Sequence, residues 1–250
     1  MPLTKGWPVS AGWSSIPALR KVLHAPEFPL TRTMVQPWIK RGFDVLVSGL
    51  GLLGSAPLWA LIAVCIKWHD GGAVFYCQAR VGQGGRRFTS WKFRSMTPEA
   101  EARVGPLQAG ADDPRVTGVG RWLRATALDE LPQLWNIFTG DMSFVGPRAL
   151  RPAEIERRAT GGRGAGATIG GAGEAVPLEQ IAGYAQRHRV TPGLTGLAQL
   201  YADRDLPRRH KFKYDRLYIK KQSFWLDLRL MALSCWITVH GRWEHRGRKW

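Results

Sequence analysis

Val45 to Ile66, VLVSGLGLLGSAPLWALIAVCI, runs for 22 residues without a charge. About 20 apolar residues in a helix cover the roughly 30 Å hydrocarbon core of a bilayer, so a run of this length reads as a membrane segment. A buried core helix is disfavoured, because soluble helices this long carry a polar face. Ser55-Ala56-Pro57 falls at its middle. Proline there removes a backbone donor and crowds the carbonyl four residues earlier. Lys40 and Arg41 precede the run and Lys67 follows it, so the excess of basic residues that marks cytoplasmic loops selects neither end. Two arrangements satisfy these facts. One is a kinked spanning helix. The other is a re-entrant helix–break–helix over residues 45–66, with the break at Ser55 and Pro57, which enters and leaves one leaflet. Backbone groups freed at such a break need partners from Ser55 or nearby protein.

The charge of the chain narrows the partners. Its 250 residues carry a formal net charge of +17, which points to a polyanion: nucleic acid, an anionic membrane surface or phosphorylated small molecules. Twelve Trp against five Tyr favour the membrane surface, where amphipathic rings collect. A nucleic-acid partner would account for the charge but not for the uncharged run, so none is expected. Cys65, Cys77 and Cys235 have no metal-ligand spacing and read as reduced cytoplasmic side chains. Residues 1–30 lack the apolar core of a secretory signal.

The remaining segments give an α+β fold, mainly helical. Residues 1–37 hold six prolines and read as an irregular lead-in to one domain over 38–250. Ala73 to Met96 reads as a small β-hairpin joined by Gly82-Gln83-Gly84-Gly85. Its second strand ends with Lys92 and Arg94, two cations at i and i+2 on one face. Residues 97–112 read as a short polar helix and a loop. Residues 159–175 contain seven glycines and read as a flexible surface insertion. Residues 204–221 hold eight Lys or Arg. Residues 223–239 are apolar but carry Asp227 and Arg229, which fits an amphipathic helix in the membrane interface. The basic, Trp-rich tail to residue 250 would anchor it at headgroup level; an ordinary core helix is the alternative.

The chemistry concentrates between Asp113 and Arg148, where Asp129 and Glu130 are set among Arg115, Arg121, Arg124 and Arg148. Two structural roles compete for Asp129. Thr126-Ala127-Leu128-Asp129 matches a capping box, although Pro132 would then fall in the second helical turn. With Asp129 itself as N-cap, Pro132 lands in the tolerated first turn, and both acids sit at the positive end of the helix dipole. A chemical role is equally coherent. A carboxylate can attack phosphorus if Arg and a divalent metal neutralise the phosphoryl oxygens, and a second acid, Glu130 or Asp141, could help hold the metal.

The motifs, taken together, carry a resemblance. They are Lys40-Arg41 with Asp44; Pro57; Gln78-Ala79-Arg80-Val81-Gly82; Lys92-Phe93-Arg94-Ser95-Met96; and Asp113-Pro114-Arg115-Val116-Thr117. Then follow Leu128 to Asn136, Gly140 to Arg148, Pro192 to Gly196 with Gln199, and Asp215 with Tyr218. Over roughly Lys40 to Trp243 the chain resembles the bacterial sugar transferases, the monotopic polyprenyl-phosphate phosphoglycosyl transferases that initiate exopolysaccharide, O-antigen and glycoprotein glycan assembly. With no large amino-terminal membrane domain ahead of the motifs, it is similar to the short, core-only type. The resemblance implies a two-step exchange between a UDP-sugar and polyprenyl phosphate. Asp129 would be the nucleophile, Glu130 its dyad partner, and Mg²⁺ the cofactor held by Asp129 and Glu130. Lys92, Arg94, Arg115, Arg124, Arg148 and Asp215 would bind substrate. It also implies a re-entrant attachment at the cytoplasmic face of the inner membrane, with other glycan-assembly enzymes as neighbours. The competing class is a degenerate, non-catalytic basic scaffold on the membrane surface; intact Asp129, Glu130 and Arg124 speak against it. Ala149 stands where the family usually has Pro, and Gly118 where a basic residue is common.

Overall fold

The computed structural model describes residues 35–97, 113–152, 154–159, 173–203 and 206–240. Helix α1, Val35–Asp70, contains the whole apolar run and starts inside the stretch expected to be irregular. It continues as one helix through Pro57, so the expected interruption at Ser55 and Pro57 is not present as a break in secondary structure. Pro57 costs the helix one hydrogen bond, but the many intact bonds on either side, and the packing of α1 along the protein, outweigh that loss. Ser55 Oγ approaches Leu52 O at 3.5 Å, the backbone bond expected of a serine near a weakened turn.

One stripe of α1 faces the protein along nearly its full length. Asp44, Ser48, Ile62 and Ile66 are buried, and Leu52, Leu58 and Trp59 are half-buried between them. The spacing of three and four residues is that of a single helical face. The opposite face presents Leu46, Leu50, Leu53, Leu61, Val64 and Trp68 outward. A helix of 36 residues is about 54 Å long, well beyond the thickness of a bilayer core.

Strands β1 (Phe75–Val81) and β2 (Arg87–Phe93) form the expected antiparallel hairpin, with Cys77 opposite Trp91 and Arg80 opposite Phe88. Helix α2, Gly118–Ala125, is capped by Thr117 Oγ1, which accepts from Gly120 N at 2.9 Å. A Cβ at Gly120 would lie 2.0 Å from Ser95 O, so this helix can seat on the strand end only with glycine there. Helix α3, Gln133–Thr139, follows and packs on α1, with Leu134 against Gly51 and Phe138 against Gly49. The side chain of Asn136, 2% exposed, accepts from Trp91 N at 3.1 Å and donates to Thr89 O at 2.7 Å. It serves β2 as a missing neighbour strand and fixes α3 to the hairpin.

Strand β3, Ser143–Val145, pairs in parallel with β6, Gly193–Thr195. Between them come β4 (Ile155–Ala159), β5 (Gly173–Pro177) and the single-turn helix α4, Tyr184–Arg187. β4 and β5 form an antiparallel pair, so both ends of the expected flexible insertion are strands instead; residues 160–172 lie outside the described residues. Helices α5 (Leu197–Tyr201), α6 (Arg208–Lys221) and α7 (Phe224–Val239) complete the fold. Their core gathers Val145, Leu197, Leu200, Tyr218, Leu226 and Leu230. Asp227 of α7 is buried rather than solvated: it accepts from Lys40 Nζ at 2.5 Å and from Tyr218 Oη at 2.9 Å. Trp225, Trp236 and Val239 face outward on the other side of α7. The expected lead-in up to residue 34, the polar helix within 98–112 and the tail beyond residue 240 lie outside the described residues. The whole is mainly helical with small two-stranded sheets.

Candidate active site

Neither local structural role expected for Asp129 is realised. Thr126 ends α2, and its hydroxyl donates back to Trp122 O at 2.9 Å instead of capping a new helix. Ala127 adopts φ of 57°, a left-handed conformation costly for a residue with a Cβ, and turns the chain sharply. A single 3₁₀ turn, Leu128–Glu130, follows, and Pro132 is the N-cap of α3. Asp129 is therefore not a helix cap. It is 8% exposed and accepts no hydrogen bond among the described residues; its closest cation is Lys92 Nζ at 3.9 Å.

Glu130 is treated differently by its surroundings. Lys92 Nζ donates directly to Glu130 Oε1, and Arg148 Nη2 lies 3.6 Å from the same oxygen. The two acids therefore separate in acidity. Burial pushes the Asp129 carboxyl up to about 6; Glu130 reinforces the rise, while Lys92, Arg124 and Arg148 oppose it. Burial also acts against the Glu130 carboxylate, but Lys92 and Arg148 outweigh it and hold that group down at about 2. Adjacent carboxylates with opposed shifts are a pattern associated with reactive sites.

Of the candidate substrate cations, the fold brings Lys92 and Arg148 to the dyad by contact and Arg124 by charge, with Arg124 Nε donating to Ser95 Oγ at 3.0 Å. Arg94 and Arg115 each hold a carboxylate outside the dyad. Arg94 lies past the end of β2 and donates to Asp70 Oδ2 at 2.9 Å and Ala73 O at 2.6 Å, tying the end of α1 to the hairpin. Arg115 grips Asp113 at 2.6 Å and holds the Asp113 carboxyl at about 2. Asp215 stands behind the site: it accepts from Arg187 Nε at 2.9 Å, and Arg187 donates to Arg148 O at 2.6 Å. Asp141 pairs with Arg86 at 3.0 Å rather than with the dyad.

Arg80 is a neighbour of this site to which sequence reasoning gave no role. It donates to Ala149 O at 3.1 Å; burial lowers its pKa to about 10, Arg148 and Arg151 beside it act the same way, and its charge helps hold Glu130 ionised. The signal was there in the alternation of β1. Polar Tyr76, Gln78 and Arg80 turn inward, whereas apolar Phe75, Cys77 and Ala79 turn outward, the reverse of an ordinary half-buried strand.

Among the described residues no three His, Cys, Asp or Glu side chains converge into a protein-only metal cage. A hard divalent cation bound with substrate phosphates needs only one or two carboxylates from the protein, and the acid pair meets that requirement. The Asp129 oxygens, which accept no hydrogen bond among the described residues, are the available ligand atoms.

Residues 35–241 match the family model described as bacterial sugar transferase. The chain is 40% identical over 202 residues to the undecaprenyl-phosphate glucose phosphotransferase of Komagataeibacter xylinus, covering 78% of this chain and 35% of that protein. It is 36% identical over 224 residues to the UDP-glucose:undecaprenyl-phosphate glucose-1-phosphate transferase of Escherichia coli, covering 86% and 44%. With the exopolysaccharide production protein ExoY of Rhizobium meliloti it shares 36% identity over 203 residues, covering 76% and 80%. The chain thus spans less than half the length of the first two. A split acid pair beside cations from β2, α2 and the Gly146-Pro147-Arg148 turn, within a match covering most of the sequence, places the chain in the bacterial sugar transferase family.

Proposed function

We propose that this chain moves a sugar-1-phosphate from a UDP-sugar to polyprenyl phosphate through a phosphosugar carried on Asp129, as the first step in building an exopolysaccharide or related glycoconjugate. The names of the relatives, undecaprenyl-phosphate glucose phosphotransferase and UDP-glucose:undecaprenyl-phosphate glucose-1-phosphate transferase, support this reading. The observation that carries it is Asp129 itself, a buried carboxylate that accepts no hydrogen bond among the described residues and faces Lys92 at 3.9 Å. A group held at that energetic cost without a structural return is suited to be a nucleophile.

In the first half-reaction an Asp129 oxygen bonds to the phosphorus next to the sugar. The bond from that phosphorus to the bridging oxygen breaks, and UMP leaves with the electron pair. In the second, an oxygen of polyprenyl phosphate bonds to the same phosphorus, and the acyl-phosphate bond breaks to restore the Asp129 carboxylate. Anion attacking anion needs preplaced positive charge. Lys92, Arg124 and Arg148 provide it, with Arg80 behind them. Glu130 anchors Lys92, and the Asp215–Arg187 pair holds the backbone of Arg148 in place. Asp129 and Glu130 would hold Mg²⁺, which when bound neutralises the phosphoryl oxygens.

We further propose re-entrant attachment to the cytoplasmic face of the inner membrane, with α1 bending at Pro57 without a break so that both its ends stay on that side, and with α7 at the interface. Lys40, near the start of α1, bonds Val145 O at 3.0 Å, while Asp70 at its end pairs with Arg94. Both ends thus hold to one folded body, which supports keeping them on one side of the bilayer.

Asp129→Asn in the full chain should abolish UMP release from UDP-sugars in the presence of polyprenyl phosphate and Mg²⁺. Release at the wild-type rate would remove Asp129 from the nucleophile's role.

A further inference from the structure

The outer face of the hairpin carries a groove separate from the dyad. Lys92 points from β2 toward Asp129 and Glu130, whereas Arg87, Thr89 and Trp91 point to the opposite side. There they meet Trp135 and Thr139 of α3 across an open groove of about 410 Å³. Its two aromatic walls both lead back to the apolar helix. Trp91 meets Phe75 edge-on at 6.2 Å, and Phe75 meets Trp59 of α1 at 5.9 Å. Trp135 stacks with Phe138 at 6.0 Å, and Phe138 packs at Gly49 of α1. Trp91 and Trp135 are nonetheless 37% and 50% exposed.

At the far rim stand Arg86 and Arg87. Arg86 is held by Asp141 at 3.0 Å; Arg87 has no carboxylate partner among the described residues. Along β1 the same outer face is apolar, with Phe75, Cys77 and Ala79 exposed and Val81 opposite Arg87. The groove therefore grades from aromatic beside α1 to cationic away from it. That order matches a lipid at the bilayer surface, acyl and glycerol carbons inward and phosphate outward.

We infer that this groove seats the headgroup of an anionic phospholipid, with its phosphate on Arg87 and its glycerol region between Trp91 and Trp135. The site rests on the membrane attachment proposed above but not on the reaction at Asp129. It would give the enzyme a preference for acidic membrane regions and fix the depth of the hairpin, and therefore of Lys92, relative to the headgroups.

Native mass spectrometry of the full chain in detergent, titrated with phosphatidylglycerol or phosphatidylcholine, tests it. Wild type should retain one phosphatidylglycerol in preference to phosphatidylcholine. Arg87→Gln should weaken that retention about tenfold, the scale of one lost charge-assisted phosphate contact, and Arg87→Lys should keep most of it. Trp135→Ala should weaken it without altering charge, while Lys213→Gln with Lys220→Gln, two exposed cations elsewhere, should change it less than about twofold. UMP release in detergent, measured on the same preparations, should stay at the wild-type level for the groove variants and reports separately on the catalytic reading. Equal retention of the two lipids by wild type, or equal losses in groove and control variants, would overturn the site. So would a groove variant that changes only the dependence on polyprenyl phosphate.

Discussion

Asp129 has 8% of its surface exposed, so its ionised form loses hydration that no hydrogen bond among the described residues replaces. Its carboxyl titrates at about 6 in the folded chain, above the ordinary 3.8. A raised carboxyl stabilises the fold fully below the unfolded value and loses that contribution as pH rises through about 6, so at neutral pH the ionised group costs on the order of 2–3 kcal/mol. Asp129→Asn should therefore raise Tm by several degrees while abolishing turnover, which calorimetry on the inactive variant checks. In the proposed nucleophile's role the same carboxyl has to be ionised to attack, so kcat/KM should fall as pH drops below about 6. Lys92→Met removes the strongest group opposing the rise and should move that limb to higher pH in a pH–rate profile. At this scale the sequence was informative about identity and less so about geometry. The acid pair with Arg124 and Arg148 nearby was legible as a cluster, whereas Lys92 entered only with the family resemblance. That Asp129 caps nothing was not, because it depends on Ala127 adopting a left-handed conformation that alanine does not advertise. The engagement of Arg94, Arg115 and Asp215 with Asp70, Asp113 and Arg187 follows from packing, which residue type alone does not reveal.

Among the elements, α1 and the hairpin were legible because length, charge and alternation are local. The expected interruption at Ser55 and Pro57 overweighted a single local cost: one missing hydrogen bond is small against a helix whose protein-facing stripe is buried on either side of it. The element that positions the dyad is less visible in sequence. Asn136 joins α3 to the free edge of β2 through two hydrogen bonds and so fixes the register of Lys92 opposite Glu130. Asn136→Ala leaves Trp91 N and Thr89 O without that partner and should cost about 2 kcal/mol, a fall of roughly 4–8 °C in Tm. Because Lys92 would then be held less firmly, kcat should fall more than the affinity for a UDP-sugar, as steady-state kinetics would show. A loss of stability with kcat intact would leave Asn136 purely structural.

For the whole molecule, the decisive contacts join distant parts of the chain. β3 meets β6 across some fifty residues, so closely that a Cβ at Gly193 would lie 2.0 Å from Gly146 N, and this pairing sets the turn that carries Arg148. No local pattern announces it, although the two glycines mark close approach once the fold is known. The attachment of both ends of α1 to that body has a consequence for topology. In a chain stripped of Cys65, Cys77 and Cys235, Trp38→Cys and Trp68→Cys should both react with an impermeant maleimide in inside-out vesicles and neither in right-side-out ones; opposite sidedness would establish a spanning helix. The proposed reaction joins a soluble donor to a lipid acceptor in two separable steps, and the covalent state proposed between them is open to direct observation. The full chain incubated with a UDP-sugar and Mg²⁺, but no polyprenyl phosphate, should release one UMP per protein. Peptide mass spectrometry should then place a sugar-phosphate mass on the peptide containing Asp129, discharged when polyprenyl phosphate is added. UMP release without that adduct, or an adduct on another residue, would contradict the assignment.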